Sequence, residues 1–465
     1  MSDERVELSR DLGVADLTLT QVLFIVGLPW VGVAAKQGHA HVLLWLAAIV
    51  LFYLPSAAVV IHLNRAMPIE GGLYQWAKLG FNELTGFLVA WNLWLFAILN
   101  TSEIGLQITQ YFHYVLGERG AALAANNGIV ALVNVVILSG LVWVTVRGLS
   151  LGKWVHKSGG ILMLATFAML LVLPWLNLAK GTLAEFHPLQ TALPVASLFS
   201  FNIAAKMGFG ALGGFEYVAI HAGECRNPAR AIARSVWLAA PIISVMFILG
   251  TSSVLALVPI DRIDLIAPIP QVLSVGFHAL GSAARVAPLT ILVLLLIRVA
   301  QASVMFAGNT RLPMVAGWDG LLPPWFTRLH PRYKTPVNSI LFVGVVTLGF
   351  SVAGLVGVGK QEAFQLLWNA SAIFYALCYL VMFALPMFAV PSRWWMKGAA
   401  LSGFLMTLAF VVLSILPIVQ VESRLSFALK ISAVVVLTNA AGLAMFVGKL
   451  APRRARYATP PAASR

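Results

Sequence analysis

Apolar residues fall in long runs along this chain, separated by short stretches rich in Pro, Gly and basic residues. A helix needs about 20 apolar residues to cross the hydrocarbon core of a bilayer, and runs of that length predict about twelve spans. They lie near 16–37, 41–63, 82–116, 128–146, 154–178, an irregular stretch from 197, a seventh ending near 258, then 285–310, 337–356, 363–388, 398–419 and 427–447. The chain reads as one helical membrane domain, 16–450, between a polar tail, 1–15, and a basic tail, 451–465. The last two spans hold no charge in their central parts and are expected to be peripheral. The stretch 259–284, with two prolines in Ala267-Pro268-Ile269-Pro270 and charges of both signs, suits an external cover.

Two runs are not plain membrane helices. Ser197 to Pro228 holds glycines at 208, 210, 213, 214 and 223, together with Lys206 and Glu216. Glycine lets the backbone leave helical geometry at little steric cost. In a bilayer the freed N–H and C=O groups persist only where protein or a water-filled cavity surrounds them. A break within 210–214 followed at once by an acid is expected to be half of a ligand site. Close helix packing would explain the glycines but not the glutamate. In span one, Gly27-Leu28-Pro29-Trp30-Val31-Gly32 predicts a second break near 26–30, because proline removes an amide donor and clashes one turn back. A packed kink is the simpler alternative there.

Five spans precede the broken span six, and the chain opens on the broken span one. An odd number of spans per half reverses orientation, so this is the pattern of an inverted-repeat transporter with its site between the two broken helices. The expected fold is all-α and polytopic, five plus five spans, with repeat one at about 16–180 and repeat two at about 195–390. Two extra helices follow within 398–448.

Composition agrees with this class: 60% of the 465 residues are hydrophobic and 10% are charged. A net charge of +14 would point to nucleic acid in a soluble protein, but here the basic residues sit in short loops and report orientation. With a cytoplasmic amino terminus, 21 of the 31 Lys and Arg fall in cytoplasmic segments and 8 in external ones, leaving Lys206 and Arg298 in the membrane. Both termini are therefore expected in the cytoplasm. The opening residues have no apolar core or cleavage site, so no signal peptide is expected. Cys225 and Cys378, the two cysteines, are placed for neither a disulfide framework nor a metal cluster.

Several motifs, in order and at matching distances, resemble the amino acid-polyamine-organocation (APC) superfamily of permeases. They are Pro68-x-x-Gly71-Gly72-x-Tyr74 after span two, Gly214-Phe215-Glu216 with Glu224-x-x-Asn227-Pro228 at span six, and Arg311, Asp319-Gly320-Leu321-Leu322-Pro323 and Thr335-Pro336 after span eight. The resemblance covers about spans one to ten. It implies transport of amino acids or amines across the cytoplasmic membrane, with small-molecule substrate and lipid as partners and no cofactor, metal or nucleic acid. Three departures stand out. Gly27-Leu28-Pro29-Trp30 replaces the usual Gly-Ser-Gly whose amides hold a substrate carboxylate. Apolar residues around Met163 stand where some proton-coupled members carry a lysine. Gly210 stands where arginine-agmatine exchangers have an aromatic, beside Phe209, while Glu216 matches an acid those exchangers carry.

The expected substrate site is therefore Gly27, Leu28, Pro29, Trp30 and Gly32 of span one with Phe209, Gly210, Gly213, Gly214, Phe215 and Glu216 of span six. Trp30, Phe209, Phe215 and Tyr217 are candidates for an aromatic wall. Glu216, Lys206, Arg298 and Glu103 are expected to serve coupling or gating, since charges this deep face an interior and find partners. For Glu103 a position near water in the outer part of span three is equally open. Span eight forms part of the sodium site in fold relatives, so Arg298 or Lys206 is expected to supply a fixed charge in place of that ion. Proton-coupled or exchanging, sodium-independent transport follows as the leading expectation. The rivals are polyamine or organocation transport, a transporter-like sensor, and a membrane enzyme. No HExxH, GxSxG or Walker loop supports the last.

Overall fold

A computed structural model describes residues 12–457 except 70, 226, 282, 314–321, 354–359, 419–420 and 422. Among these residues the regular structure is helical, apart from one isolated bridge between Leu12 and Cys225. Nine of the described helices are long and apolar enough to cross a membrane, and the bent pair Val14–Ile25 and Leu28–Ala35 makes a tenth span. The remaining two of the expected twelve are the 17-residue apolar helix Val337–Ala353 and the interrupted span six. The twelve-span expectation holds.

Span one breaks at Val26 and Gly27, and its halves meet at 48°. Pro29 stands in the first turn of the second half, where a missing N–H costs nothing because first-turn amides lack helical partners. Span six begins at Ser197, whose hydroxyl caps the helix Leu198–Ala205 by accepting from Ser200 N at 3.1 Å. It widens to a π-helical turn over Lys206–Gly210, opens at Gly213-Gly214, and resumes as the tight helix Phe215–Glu224. The break thus sits at the end of the glycine run rather than across it. Gly214 has φ of +141°, a conformation side-chain-bearing residues rarely adopt.

The helices pack as two interlocked halves. Span three (Glu83–Leu116) lies along span ten (Lys360–Ala384) as span five (Leu149–Ala179) lies along span eight (Ala283–Asn309). The first half of span one packs on span seven (Pro228–Leu257), and the π turn of span six packs on span two (Gly38–Ala66). Exchanging one with six, two with seven, three with eight and five with ten maps each pair onto the other, which is how an inverted repeat buries its apolar faces.

The motif loops hold helix ends. Asn227 Oδ1 accepts from Arg230 N at 3.3 Å and Pro228 opens span seven, so Asn-Pro there is a helix start. Thr335 donates to Val146 O at 2.8 Å, tying the loop before span nine to the end of span four (Asn127–Arg147). Asp319, Gly320 and Leu321, Arg226, most of the amino-terminal tail and the last eight residues lie outside the described residues.

Two expectations need correction. Glu103 sits at the joint between the helices Glu83–Ser102 and Ile104–Leu116 and is fully buried, so it does not reach water. Span eleven (Trp394–Ser414) is not wholly peripheral: Phe410 and Ser414 pack fully buried against the π turn of span six, while the other face is exposed. An uncharged helix gives no sequence sign of which neighbour it covers. Span twelve touches span three through Asn439 and Asn92, paired at 2.8 Å, and is otherwise mostly exposed. Within 259–284, the short helix Pro268–Ala279 lies over Gly32 without spanning, as expected of a cover.

Candidate functional site

A cavity lies between the two breaks. Gly27, Leu28, Pro29 and Trp30 form one wall and Phe209, Gly210 and Gly213 the other, with Phe24 and Ile25 below. Spans three, eight and ten close it with Phe96, Asn100 and Gln107, then Arg298, Gln301 and Met305, then Trp368, Ser371 and Tyr375. The Trp30 indole bridges the breaks: a Cβ added at Gly27 would lie 2.6 Å from its Cδ1, and one at Gly210 would lie 2.6 Å from its Cη2. Gly210 is thus small because Trp30 fills its space, so an aromatic ring reaches this place from span one rather than span six. Trp368 packs beside Trp30 with ring centroids 5.5 Å apart.

Glu216 lies behind this wall, buried. Tyr375 Oη donates to its Oε1 and Tyr379 Oη to its Oε2, while Gly214 N donates to Tyr379 Oη at 2.6 Å. The amide released by the break is therefore satisfied by the hydroxyl that holds the acid, joining span six to span ten in one network. A donor at each oxygen suits a carboxylate, which can only accept. Because Tyr375 lines the cavity, Glu216 stands one hydroxyl away from whatever occupies it.

Arg298 donates through Nη2 to Glu103 Oε1 and through Nε to Gln107 Oε1, both of span three, and all three are buried. One turn further along span eight, Gln301 Nε2 donates to Leu23 O and Val26 O, each at 2.9 Å. It is this amide, not Arg298 or Lys206, that meets carbonyls freed at the span-one break. Lys206 lies apart from both. Its Nζ donates to Asn369 Oδ1 at 3.0 Å and Ser414 Oγ at 3.4 Å and sits 5.6 Å from the Phe410 ring, with no acid among the described residues in ion-pair range.

Other residues grouped with the site by sequence lie off the cavity. Gly32 faces Pro268; Phe215 stacks on Tyr53 at 4.5 Å; Tyr217 stacks on Phe24 at 4.1 Å and donates to Val304 O at 2.7 Å, beneath the cavity. Sequence reasoning missed Asn100, Gln107, Gln301, Trp368 and Tyr375. Tyr375 and Tyr379 did leave a signal, two hydroxyls on one face of an apolar helix at i, i+4. Among the described residues no group of three or more His, Cys, Asp or Glu is placed to hold a metal ion.

The geometry is that of a multi-pass membrane transporter. Similarity to known proteins makes it narrower: residues 13–438 match the family model described as amino acid permease, and the chain belongs to that family, within the APC superfamily. It is 24% identical over 381 residues to the branched-chain amino acid permease BcaP of Bacillus subtilis (strain 168), covering 77% of this chain and 80% of that protein. It is 21% identical over 351 residues to the probable agmatine/putrescine antiporter AguD of Lactococcus lactis subsp. lactis (strain IL1403), covering 75% and 73%. The crystal structure of MhsT in complex with L-phenylalanine superposes with a TM-score of 0.56 at 15% identity, over 86% of this chain and 97% of that one. That likeness bears on the fold, an inverted-repeat transporter with interrupted helices.

Proposed function

We propose that this permease is a secondary transporter moving an amino acid or related amine across the cytoplasmic membrane by alternating access. Its termini are cytoplasmic, and it runs by proton coupling or exchange without sodium. The observation that supports this reading most directly is the cavity between the breaks at Gly27 and Gly213-Gly214, lined by half-helix ends and aromatic rings. Half-helix ends offer complementary dipoles to a small charged ligand, and a site shared by two halves can be opened to either side by rocking one against the other. Gln301 supplies two N–H donors where carbonyls of span one would otherwise accept a cation, which supports independence from sodium. The test is uptake of radiolabelled leucine, phenylalanine, agmatine and putrescine into proteoliposomes, in sodium and then in potassium. Accumulation of at least one solute in both salts is expected. A steep loss in potassium would remove the sodium claim, and no accumulation of any would favour a sensor or an enzyme.

Glu216 is the coupling group in this reading. It is buried behind the wall and linked to the cavity through Tyr375. Glu216→Gln keeps the size but gives Tyr379 or Tyr375 an amide where it had a carboxylate, and it cannot exchange a proton. Uptake should fall about tenfold and its pH dependence should flatten, since charge-assisted hydrogen bonds contribute about 1.5–3 kcal/mol. A wild-type rate and pH profile would rule the role out.

Trp30 should set substrate choice. Trp30→Ala would empty the space between Gly27 and Gly210 and enlarge the cavity, so relative uptake of phenylalanine over leucine is expected to rise. Equal losses for every substrate would instead mean that the ring only props the two breaks apart.

A further inference from the structure

We infer that Arg298 and Gln301, one turn apart on span eight, read the head group of a zwitterionic amino acid. The guanidinium takes the carboxylate, and Gln301 Oε1 accepts from the ammonium. This assignment rests on the transport reading above for its biological meaning, but it can be tested by binding alone.

Both side chains are more than nine-tenths buried and both line the cavity. Gln301 has only one orientation that works. Its nitrogen end meets two carbonyl oxygens, Leu23 O and Val26 O, which can only accept, so Nε2 must be the donor end. Its carbonyl oxygen is thereby turned away from span one and has no hydrogen-bond partner among the described residues. Gln301 thus removes two backbone acceptors from the break and presents one acceptor of its own. Arg298 is likewise committed on one side only. Nε and one hydrogen of Nη2 serve Gln107 and Glu103, which leaves three of its five N–H donors. Glu103 compensates the charge from outside the cavity lining, so the ion pair is stable before a ligand arrives.

Two further observations make this pair the head-group site. Residues three apart on a helix face sit about 5–6 Å apart at Cβ, the scale of an α-amino acid head group. Span one keeps few backbone donors: Pro29 has no N–H, Gly27 N donates to Ile25 O at 2.8 Å and Trp30 N to Gly27 O at 3.1 Å, which leaves the amide of Leu28. The charge of the lining then sets the substrate class. Arg298 is its one charged member among the described residues, and the two acids behind the lining are engaged, Glu103 by Arg298 itself and Glu216 by two tyrosines. A substrate that is only cationic finds no counter-ion there. The Trp30 and Trp368 rings face an apolar or aromatic side chain.

Binding of leucine, phenylalanine, leucinamide and 4-methylpentanoate to the purified full-length protein tests the assignment. Leucinamide lacks the carboxylate and 4-methylpentanoate lacks the ammonium. Wild type should bind leucine at least about tenfold more tightly than either, because a site built to hydrogen-bond a group rejects analogues without it. Glu103→Gln with Arg298→Gln removes both charges together, so that neither is left buried alone. It should bring leucine and leucinamide within about twofold while preference over 4-methylpentanoate persists. Gln301→Lys keeps donors for Leu23 O and Val26 O but deletes the acceptor. It should do the converse, erasing preference over 4-methylpentanoate. If either variant keeps the wild-type ratio, or wild type binds neither leucine nor phenylalanine, the assignment is overturned. Accumulation of putrescine but not leucine in vesicles would overturn it and leave transport standing. Binding discrimination with no accumulation of any solute would leave it standing and remove transport.

Discussion

Glu103→Ala is expected to cost about 3–5 kcal/mol of stability, the range for removing one partner of a buried ion pair. Both charges lie within the membrane-spanning helices and are almost wholly buried, the Glu103 side chain at 0% exposure and that of Arg298 at 7%. Without Glu103, the guanidinium keeps only Gln107 and is left almost wholly buried without a counter-charge. The melting temperature of the purified protein should fall sharply, and little should survive size exclusion. The double replacement Glu103→Gln, Arg298→Gln should recover most of the loss, because two neutral amides can satisfy each other where one buried charge cannot. A single variant that melts with the wild type would show that the pair contributes nothing to span packing.

A side chain at Gly214 should stop transport, whereas one at Gly208 should not. Gly214 has φ of +141°, and an added Cβ would lie 2.6 Å from Ile25 Cγ1 and 2.8 Å from Phe24 Cδ1, on the first half of span one. Backbone strain of that kind costs roughly 1–3 kcal/mol before the clash is counted. The clash falls where the two breaks face each other. Gly214→Val should therefore reduce the initial uptake rate by well over tenfold, by an order-of-magnitude reading of that strain. At Gly208 the added Cβ meets only the terminal methyl of Met406, at 2.7 Å, which can swing aside. Gly208→Ala should transport within about twofold of wild type on that ground. Equal rates for the two variants would mean that the geometry at Gly213-Gly214 is not needed for turnover.

The span pattern and the two breaks were legible because both depend on local chemistry. Twenty apolar residues have one use in a bilayer, and Pro29 between Gly27 and Gly32 marks a break by local sequence, where Pro174 and Pro241, without such glycines, stay inside continuous helices. The Asn227-Pro228 motif was legible for a related reason, since it starts a helix through a contact three residues away, whereas Thr335 reaches Val146 across 189 residues and is understood only in the fold. The site was legible only in part. Trp30, Phe209, Gly210 and Gly213 lie where the breaks put them, but Gly32 and Phe215 sit on the same short stretches and face elsewhere, because a helix turns each residue by about 100° and the breaks reset that phase. Lys206 and Arg298 were conspicuous as charges, yet no rule of spacing told which acid belonged to which cation. Arg298 found Glu103 across 195 residues, and Lys206 found only Asn369 and Ser414.

What the sequence determined by itself, then, is whatever one segment decides alone: spans, interruptions and the presence of costly buried charge. Tertiary structure decided what those charges do. It turned Tyr375 and Tyr379 onto Glu216, set Trp30 into the space left by Gly210, and fixed the end of Gln301 that faces the cavity. Each of these depends on which helices become neighbours. In a bilayer that choice is made by close packing and satisfied polar groups summed over many contacts, and no single segment records the sum.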